Sequence, residues 1–222
     1  MISLKIKGIE GLYDAIPGSI HDLVIENPSH FYSIVRAFFL EDDETIIVSK
    51  DSDIIPLDKN VLFIKSLFDL DPNSKKILGL IYKQANVTYL NDSRKQRIIR
   101  IQDEILDLLD EISLDFNYPM TFDRVFGIDK IMQTTSFCFS PADQTVFFDS
   151  FISYLRAIQE ISKAKFIVCI DVFAFLESEK VELLSKELGL MGLSLINLSS
   201  FNRKADKNIE KVTLIDTDYC EI

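Results

Sequence analysis

The chain has 222 residues, of which 47% are hydrophobic, and its formal net charge is −11 at pH 7. That length supports a substantial core in one domain, or in one domain with an appendage. The acidic balance argues against indiscriminate nucleic-acid binding, because the summed field repels phosphates at long range. No apolar run approaches the about 20 residues of a membrane-spanning helix, and charges interrupt every apolar stretch near the N-terminus, so we expect a cytoplasmic protein without a membrane segment or a signal peptide.

Cysteine and histidine indicate no chemical centre. Cys138, Cys169 and Cys220 are widely spaced and form no CxxC motif, so we expect reduced core cysteines and no disulfide framework. His21 and His30 are the only histidines, which leaves no zinc cluster and no His-centred catalytic triad.

Short β-like runs alternate with helical patterns over residues 1–90, which predicts an α/β fold. Strands are predicted in SLKIKGI, DLVIE, ETIIVSK and NVLFIKSLF. NPSHFYSIVRAFF is predicted to be a helix, and a second helix is predicted to open at Asp71 as N-cap with Pro72 at its first position.

Two heptad patterns then predict a helical hairpin. The first pattern begins at Arg94 and has its apolar seam at Ile98, Ile101, Ile105, Leu108 and Ile112. The second begins with a capping-box-like start at Ser140, Pro141 and Asp143, and its seam is formed by Phe148, Phe151, Leu155 and Ile158. We therefore expect a helical leg over residues 91–163, inserted into an α/β head of residues 1–90 and 164–222.

The α/β pattern resumes after the leg. FIVCID predicts a buried strand that ends near Asp171, and SEKVELLSKELG predicts a helix closed by Gly189. LSLINLS and KVTLIDTD predict the last strands.

Positive charge gathers at the start of the first long helix, in Arg94, Lys95, Arg97 and Arg100. This order opposes the helix dipole, which favours acids at the N-terminus by about 0.3 to 1 kcal/mol each, so helix stability does not explain it. The cluster is either a solvated face whose charges pair with another subunit or the rest of the protein, or a phosphate-binding patch. Arg203, Lys204, Lys207 and Lys211 form a second basic cluster in FNRKADKNIEK, between the last two strands. This loop is either a solvated turn or a segment that contacts a nucleic-acid backbone.

Acidic residues offer weaker signals. Asp171 at a strand end is similar to the magnesium-binding carboxylate of a P-loop nucleotidase, but NPSHF stands where a glycine-rich loop with Lys and Ser or Thr is needed. Nucleotide hydrolysis is therefore disfavoured. Asp115, Asp123 and Asp129 lie in the connection between the long helices. They are either calcium ligands or solvated loop acids.

The order of these segments resembles the small adaptation protein of type II-A CRISPR systems, the Csn-two family. The resemblance covers most of the chain and is carried by DPNSKKILGLIYKQANVTYLND, YPMTFD, FIVCIDVFAFL and LSLINLSSFNRK. It implies a degenerate P-loop-like head with an inserted helical-hairpin leg, assembled as a ring-shaped homotetramer that binds calcium. It further implies non-catalytic binding of linear double-stranded DNA ends in a basic central hole, together with the CRISPR integrase pair and the RNA-guided effector nuclease, during spacer acquisition in antiviral defence.

The resemblance does not assign individual residues. The candidates for DNA binding come from the two basic clusters and are Arg94, Lys95, Arg97, Arg100, Arg203, Lys204 and Lys207. Asp123 best matches an acidic hinge position as a calcium ligand, with Asp115 and Asp129 as further candidates. Two alternatives stay open: a nucleotide-dependent enzyme that uses Asp171, and a structural adaptor whose leg is a coiled-coil surface.

Overall fold

Most of the predicted strands form one parallel sheet. The computed structural model of the chain describes residues 1–88, 90–140, 146–201, 210–218, 220 and 221. The strands of this sheet are β3 (Ile20–Ile25), β6 (Val61–Phe63), β7 (Phe166–Ile170), β8 (Ser194–Ser199) and β9 (Glu210–Ile215). Their spatial order is β6-β7-β8-β3-β9, with all neighbours parallel. Every residue of β3 and β8 is buried, as expected for central parallel strands covered on both faces.

A smaller antiparallel sheet is formed near the N-terminus. Its strands are β1 (Ile2–Ile6), β2 (Leu12–Asp14), β4 (Ile46–Lys50) and β5 (Asp53–Ile55), in the order β2-β1-β4-β5. The helices are α1 (Pro28–Leu40), α2 (Leu57–Asn60), α3 (Lys75–Thr88), α4 (Asp92–Ser113), α5 (Ile128–Thr134), α6 (Phe147–Ile161) and α7 (Ser178–Met191). The predicted mixed α/β fold is thus confirmed.

The chain divides into two compact units. The sheet unit comprises residues 1–71 and 141–222, and the helical unit comprises residues 72–140. These limits differ from the predicted leg of residues 91–163, because α3 groups with the helical unit and α6 with the sheet unit. The boundaries of the predicted leg, the P-loop-like character of the head and the pairing of the two long helices stay predictions.

The core of the sheet unit lies on both faces of the parallel sheet. On one face, α1 and the antiparallel sheet pack against alternate residues of the central strands, including Leu23, Val168 and Ile196. On the other face, α6 and α7 cover Ile167 and Leu195. The predicted seam residues of α6 are used here: its Phe151, Leu155 and Ile158 are buried within the sheet unit.

Two predicted helix ends are wrong. α3 begins at Lys75 and not after Asp71, because the side chain of Asn73 is held by the backbone of Phe139: its Nδ2 donates to the carbonyl at 3.1 Å, and its Oδ1 accepts from the amide at 2.8 Å. α7 continues past Gly189 and ends at Met191, and its C-cap is Gly192, whose φ of 68° is in the left-handed region that glycine adopts without strain.

The predicted capping box of α6 falls largely outside the described residues. Pro141 and Asp143 lie in the segment 141–145, which the structure does not describe. The described helix begins at Phe147, after Val146 in an extended conformation.

Candidate functional site

The first basic cluster occupies the opening turns of α4. Asn91 is the N-cap: its Oδ1 accepts from the amide of Arg94 at 2.9 Å. Lys95 forms a long ion pair with Asp92 at 3.8 Å. All four bases of the cluster are exposed, and no ion pair to Arg97 or Arg100 is formed within the described part of the chain. The cluster therefore places four exposed positive charges within seven residues at one end of α4.

Sequence reasoning missed three bases in the preceding helix. Lys75, Lys76 and Lys83 lie on α3 and are exposed. With the cluster on α4 they make residues 72–102 strongly basic, with seven Lys or Arg and one acid. A running sum of charge along the sequence would have found them, whereas a search for dense clusters did not.

The helical unit is electrically divided. Its remaining residues, 103–140, carry eight acids and two bases, so the unit as a whole is neutral. The rest of the chain has 15 bases and 26 acids and thus accounts for the whole net charge of −11. Residues 72–102 therefore carry a local excess of positive charge in a chain that is acidic as a whole.

Most of the second basic cluster lies outside the described residues. Arg203, Lys204 and Lys207 belong to the segment 202–209 between β8 and β9, of which the structure describes nothing. Their part in a binding surface stays a prediction.

The connection after α4 folds back along that helix. Arg124 forms two hydrogen bonds to the carboxylate of Asp110, at 2.7 and 3.1 Å, and the Gln102 side chain donates to the carbonyl of Phe126. The paired carboxylate raises the pKa of the Arg124 guanidinium, which stays charged. These contacts attach to α4 a segment that the sequence analysis described only as the connection between the long helices.

The structure does not gather the three hinge acids into one site. Asp129 lies in the first turn of α5 and accepts from Asn86 Nδ2 on α3 at 3.2 Å, while Asp115 and Asp123 are exposed in the connection. Among the described residues, no group of three or more His, Cys, Asp or Glu side chains is placed to hold a metal ion. Within the described part of one chain, Asp115, Asp123 and Asp129 therefore do not form a common set of oxygen ligands.

Asp171 belongs to a buried polar network in the sheet unit. It follows β7 with a φ of 48°, before the 3-10 turn Val172–Phe175, and its amide donates to the Leu198 carbonyl at 3.0 Å. Burial raises the pKa of the Asp171 carboxyl, and the charge of Asp22 on β3 raises it further. Sequence reasoning identified Asp171 but missed Asp22, whose only signal was an acid inside an apolar run.

Asn197 connects this network. Its Nδ2 donates to Asp22 Oδ1 at 2.7 Å, and its Oδ1 accepts from the amide of Val172 at 2.9 Å. Both Asp22 and Asn197 are 1% exposed. The carboxamide thus joins two strands to the turn that follows a third, and it solvates a buried carboxylate.

In the connection from β3 to α1, backbone amides donate to a side chain of the same segment. Asn27 Oδ1 accepts from the amides of Ser29 and His30 at 3.0 and 3.1 Å, and Asn27 Nδ2 donates to the Thr217 carbonyl at 3.1 Å. Pro28 at the first helical position has no amide hydrogen. The first-turn donors that would hold a phosphate in a P-loop are therefore engaged by the protein itself.

No helix in the part of the chain that the structure describes is both long and apolar enough to cross a membrane.

The family model of the CRISPR-associated protein (Cas_Csn2) matches residues 39–219. Among solved structures, the crystal structure of Stu0660 of Streptococcus thermophilus is similar, with a TM-score of 0.52 and 14% sequence identity, covering 88% of this chain and 68% of that chain. At this identity the likeness concerns the fold alone. A search of curated proteins finds no match.

Proposed function

Since the chain belongs to the Cas_Csn2 family of CRISPR-associated proteins, we propose that its part in CRISPR adaptation is to bind the ends of linear double-stranded DNA as a homotetrameric ring. The binding is independent of sequence and involves no catalysis. The observation that carries the proposal is the separation of charge: residues 72–102 hold seven bases and one acid within a protein of net charge −11.

Ring assembly reconciles these charges. Basic residues that face a bore act on DNA at close range, where low-dielectric walls focus their field on the phosphates, while the acidic remainder faces outward. Contacts from Arg and Lys to phosphates position a duplex without reading its bases. The candidates are Arg94, Lys95, Arg97 and Arg100, with the loop at 203–207 as the second set.

The lack of catalysis is supported by the connection from β3 to α1. Asn27 engages the amides that a nucleotide phosphate would need, and no phosphate-binding lysine stands beside them in NPSHF. The rival proposal, a nucleotide-dependent enzyme, is favoured by the carboxyl of Asp171 next to buried Asp22. ATP turnover that disappears in Asp171→Ala would establish the rival, and we expect no turnover in either protein.

Calcium belongs to the proposal as the accompanying ion, with Asp115, Asp123 and Asp129 as candidate ligands. Because one chain does not gather these carboxylates, no step of DNA binding is attributed to the ion. Chelation should lower the melting temperature, which calcium then restores. If the melting temperature is unchanged by the chelator and by added calcium, calcium has no part in the proposal.

The proposed setting is the cytoplasm, with the CRISPR integrase pair and the RNA-guided effector nuclease as partners during spacer acquisition. A structural adaptor with a coiled-coil leg is the remaining alternative. It predicts association of copies and partners without affinity for DNA, which a binding assay with linear duplex distinguishes.

The decisive variant replaces Arg94, Lys95, Arg97 and Arg100 by Glu. We expect affinity for linear duplex of any sequence to fall at least tenfold, because each lost phosphate contact removes favourable counterion release. The matched control replaces Lys50, Lys59, Lys163 and Lys165, four exposed lysines of the sheet unit, by Glu, with the same change in net charge. Equal losses in both variants would show a general charge effect and remove the assignment to α4.

A further inference from the structure

The sheet unit contains a cavity of about 360 Å³ that has no part in the proposed function. It is formed by the segment after β6, the 3-10 turn after β7 and the first turn of α6. Its lining includes Phe68, Asp69, Asp71, Phe147, Ser150 and Phe175. Proteins with a parallel sheet commonly bind ligands here, outside the carboxyl ends of the strands. The volume is sufficient for a small ligand or for one long side chain of a partner.

Three phenylalanine rings form the apolar part of the lining. The ring of Phe175 contacts both others: its centroid is 5.5 Å from that of Phe68, edge-on, and 5.2 Å from that of Phe147, at a tilt of 38°. Phe68 is 87% exposed, so its ring contributes little to the core. The face of an aromatic ring carries partial negative charge and attracts cations. This group of rings therefore favours a cationic ligand.

Negative charge lies beside the rings. The side chain of Asp69 is exposed and forms no hydrogen bond or ion pair to any residue that the structure describes. Burial raises the pKa of the Tyr154 phenol, and the charge of Asp69 raises it further, which shows that the carboxylate acts on this part of α6. Ser150 Oγ is buried without a hydrogen-bond partner among the described residues. No described Lys or Arg lines the cavity, so it offers acceptors to a ligand that donates hydrogen bonds.

We propose that this cavity binds a guanidinium group on an alkyl chain, as in arginine. A planar guanidinium can stack on a phenylalanine face while its edge donates to Asp69 and to Ser150 Oγ. An ammonium group is compact and strongly hydrated, so it loses more solvation against an apolar wall. The carboxylates of Asp69 and Asp71 repel an anion. A neutral ligand would remove water from Asp69 without neutralising its charge.

This inference goes beyond the proposed function, because an acidic cavity repels DNA phosphates. It gives the sheet unit a binding site of its own, distinct from the basic clusters. The guanidinium group can belong to an arginine side chain of a protein or to a free small molecule, and the chemistry of recognition is the same for both.

The test is saturation-transfer NMR and isothermal titration calorimetry on the full chain, with Nα-acetylarginine amide as the probe. We expect a dissociation constant on the order of 1 mM for so small a ligand. The matching citrulline amide has nearly the same shape but no charge. It should bind at least tenfold more weakly, because an uncharged group forms weaker hydrogen bonds to a carboxylate. The matching lysine amide should also bind more weakly.

Two variants assign the binding to this cavity. Asp69→Asn keeps the size of the side chain and removes its charge, so affinity for the probe should fall at least tenfold. Phe68→Leu removes one ring and should weaken binding at least threefold. The matched controls are Asp43→Asn and Tyr32→Leu, an exposed acid and an exposed aromatic residue of the sheet unit that do not line the cavity. Both controls should bind as wild type, and unchanged melting temperatures show that all four variants are folded.

A second comparison identifies the source of the group. A capped five-residue peptide with one central arginine among glycines represents a protein partner, and unmodified arginine represents a free ligand. A site for a protein side chain binds the peptide at least as tightly as the acetylated amide. A site for free arginine binds the unmodified amino acid more tightly than either, because it also recognises the charged termini. Either ranking supports the guanidinium site.

Three results would overturn the inference: no binding of the acetylated amide, equal affinity for the citrulline amide, or unchanged affinity in Asp69→Asn. The outcome is independent of DNA binding. Asp69→Asn should bind linear duplex as wild type does, so failure of the guanidinium site leaves the proposed function in place. Failure of DNA binding likewise leaves the titrations with the acetylated amide unaffected.

Discussion

His21 lies on β3 with 5% of its surface exposed, and its ring meets that of Tyr13 edge-on with the centroids 5.3 Å apart. Burial lowers the pKa of the imidazole to about 4, and the nearby charge of Lys211 adds to this fall, although the backbone and the charge of Asp14 oppose it. No hydrogen-bond partner of His21 Nε2 is present among the described residues. The fold therefore holds His21 neutral.

This shift predicts acid sensitivity. The unfolded chain has a histidine pKa of about 6.5, above the folded value, so it binds the proton first as the pH falls. The contribution of neutral His21 to the free energy of unfolding is fully present above the unfolded pKa of about 6.5. It decreases as the pH falls from there towards the folded pKa of about 4, by up to about 1.4 kcal/mol per pH unit. Urea unfolding between pH 7.5 and 5 should show this slope in wild type and a smaller one in His21→Gln. Equal slopes would contradict the assignment to His21.

The buried network of Asp22 leads to a second prediction at this scale. Asn197→Ala removes the donor to the carboxylate and the acceptor of the Val172 amide, and we expect a loss of about 3 kcal/mol in the free energy of unfolding. The control Asn60→Ala removes only an exposed bond to the Pro56 carbonyl and should cost at most about 1 kcal/mol in the same urea titration. Equal losses would mean that the network does not stabilise the sheet unit.

At the scale of elements, hydrophobic periodicity predicted the strands and helices that form the core of the sheet unit. β7 is a continuous apolar run, and β3 and β8 are buried along their whole length with polar residues among the apolar ones, because both faces of the sheet are covered. α1 was marked by its periodic apolar face. The three-residue strands β2 and β5 and the short helix α5 were missed, since so few residues cannot establish a period.

Element ends and the site depended on tertiary contacts. The start of α3 follows from the bonds of Asn73 to Phe139, 66 residues away, which no local pattern encodes. The basic cluster on α4 was visible in the sequence because its residues are adjacent. The neighbourhood of Asp22, Asn197 and Asp171 was not, because three different strands bring these residues together.

Two glycines in helices provide a paired test of backbone effects. Gly192 closes α7 with a φ of 68°, so Gly192→Ala should destabilise by about 1 kcal/mol. Gly79 lies inside α3, where an added Cβ would meet nothing within 4 Å. Gly79→Ala should therefore stabilise α3 by about 0.5 to 1 kcal/mol. Thermal unfolding followed by circular dichroism measures both, and effects of the same sign would contradict the assigned helix ends.

At the scale of the whole molecule, the proposal predicts a dependence on salt and on DNA ends. Log affinity should fall linearly with log salt, by about 0.9 for each phosphate neutralised. The slope should be independent of sequence, because phosphate contacts read no bases. Relaxed closed circles, and linear duplexes with bulky blocks at both ends, should bind far less than open linear duplex of the same sequence. Circles that bind equally well in a fluorescence titration would rule out threading through a ring.

The hydrogen bonds between Asn73 and Phe139 have a consequence for how this architecture tolerates change. They hold together the two points where the chain enters and leaves the helical unit. The separation of these two points is therefore fixed by hydrogen bonds inside the helical unit itself. Residues 116–121 are exposed and take no part in these bonds, so this part of the connection after α4 can change in length without altering where the chain enters and leaves the unit.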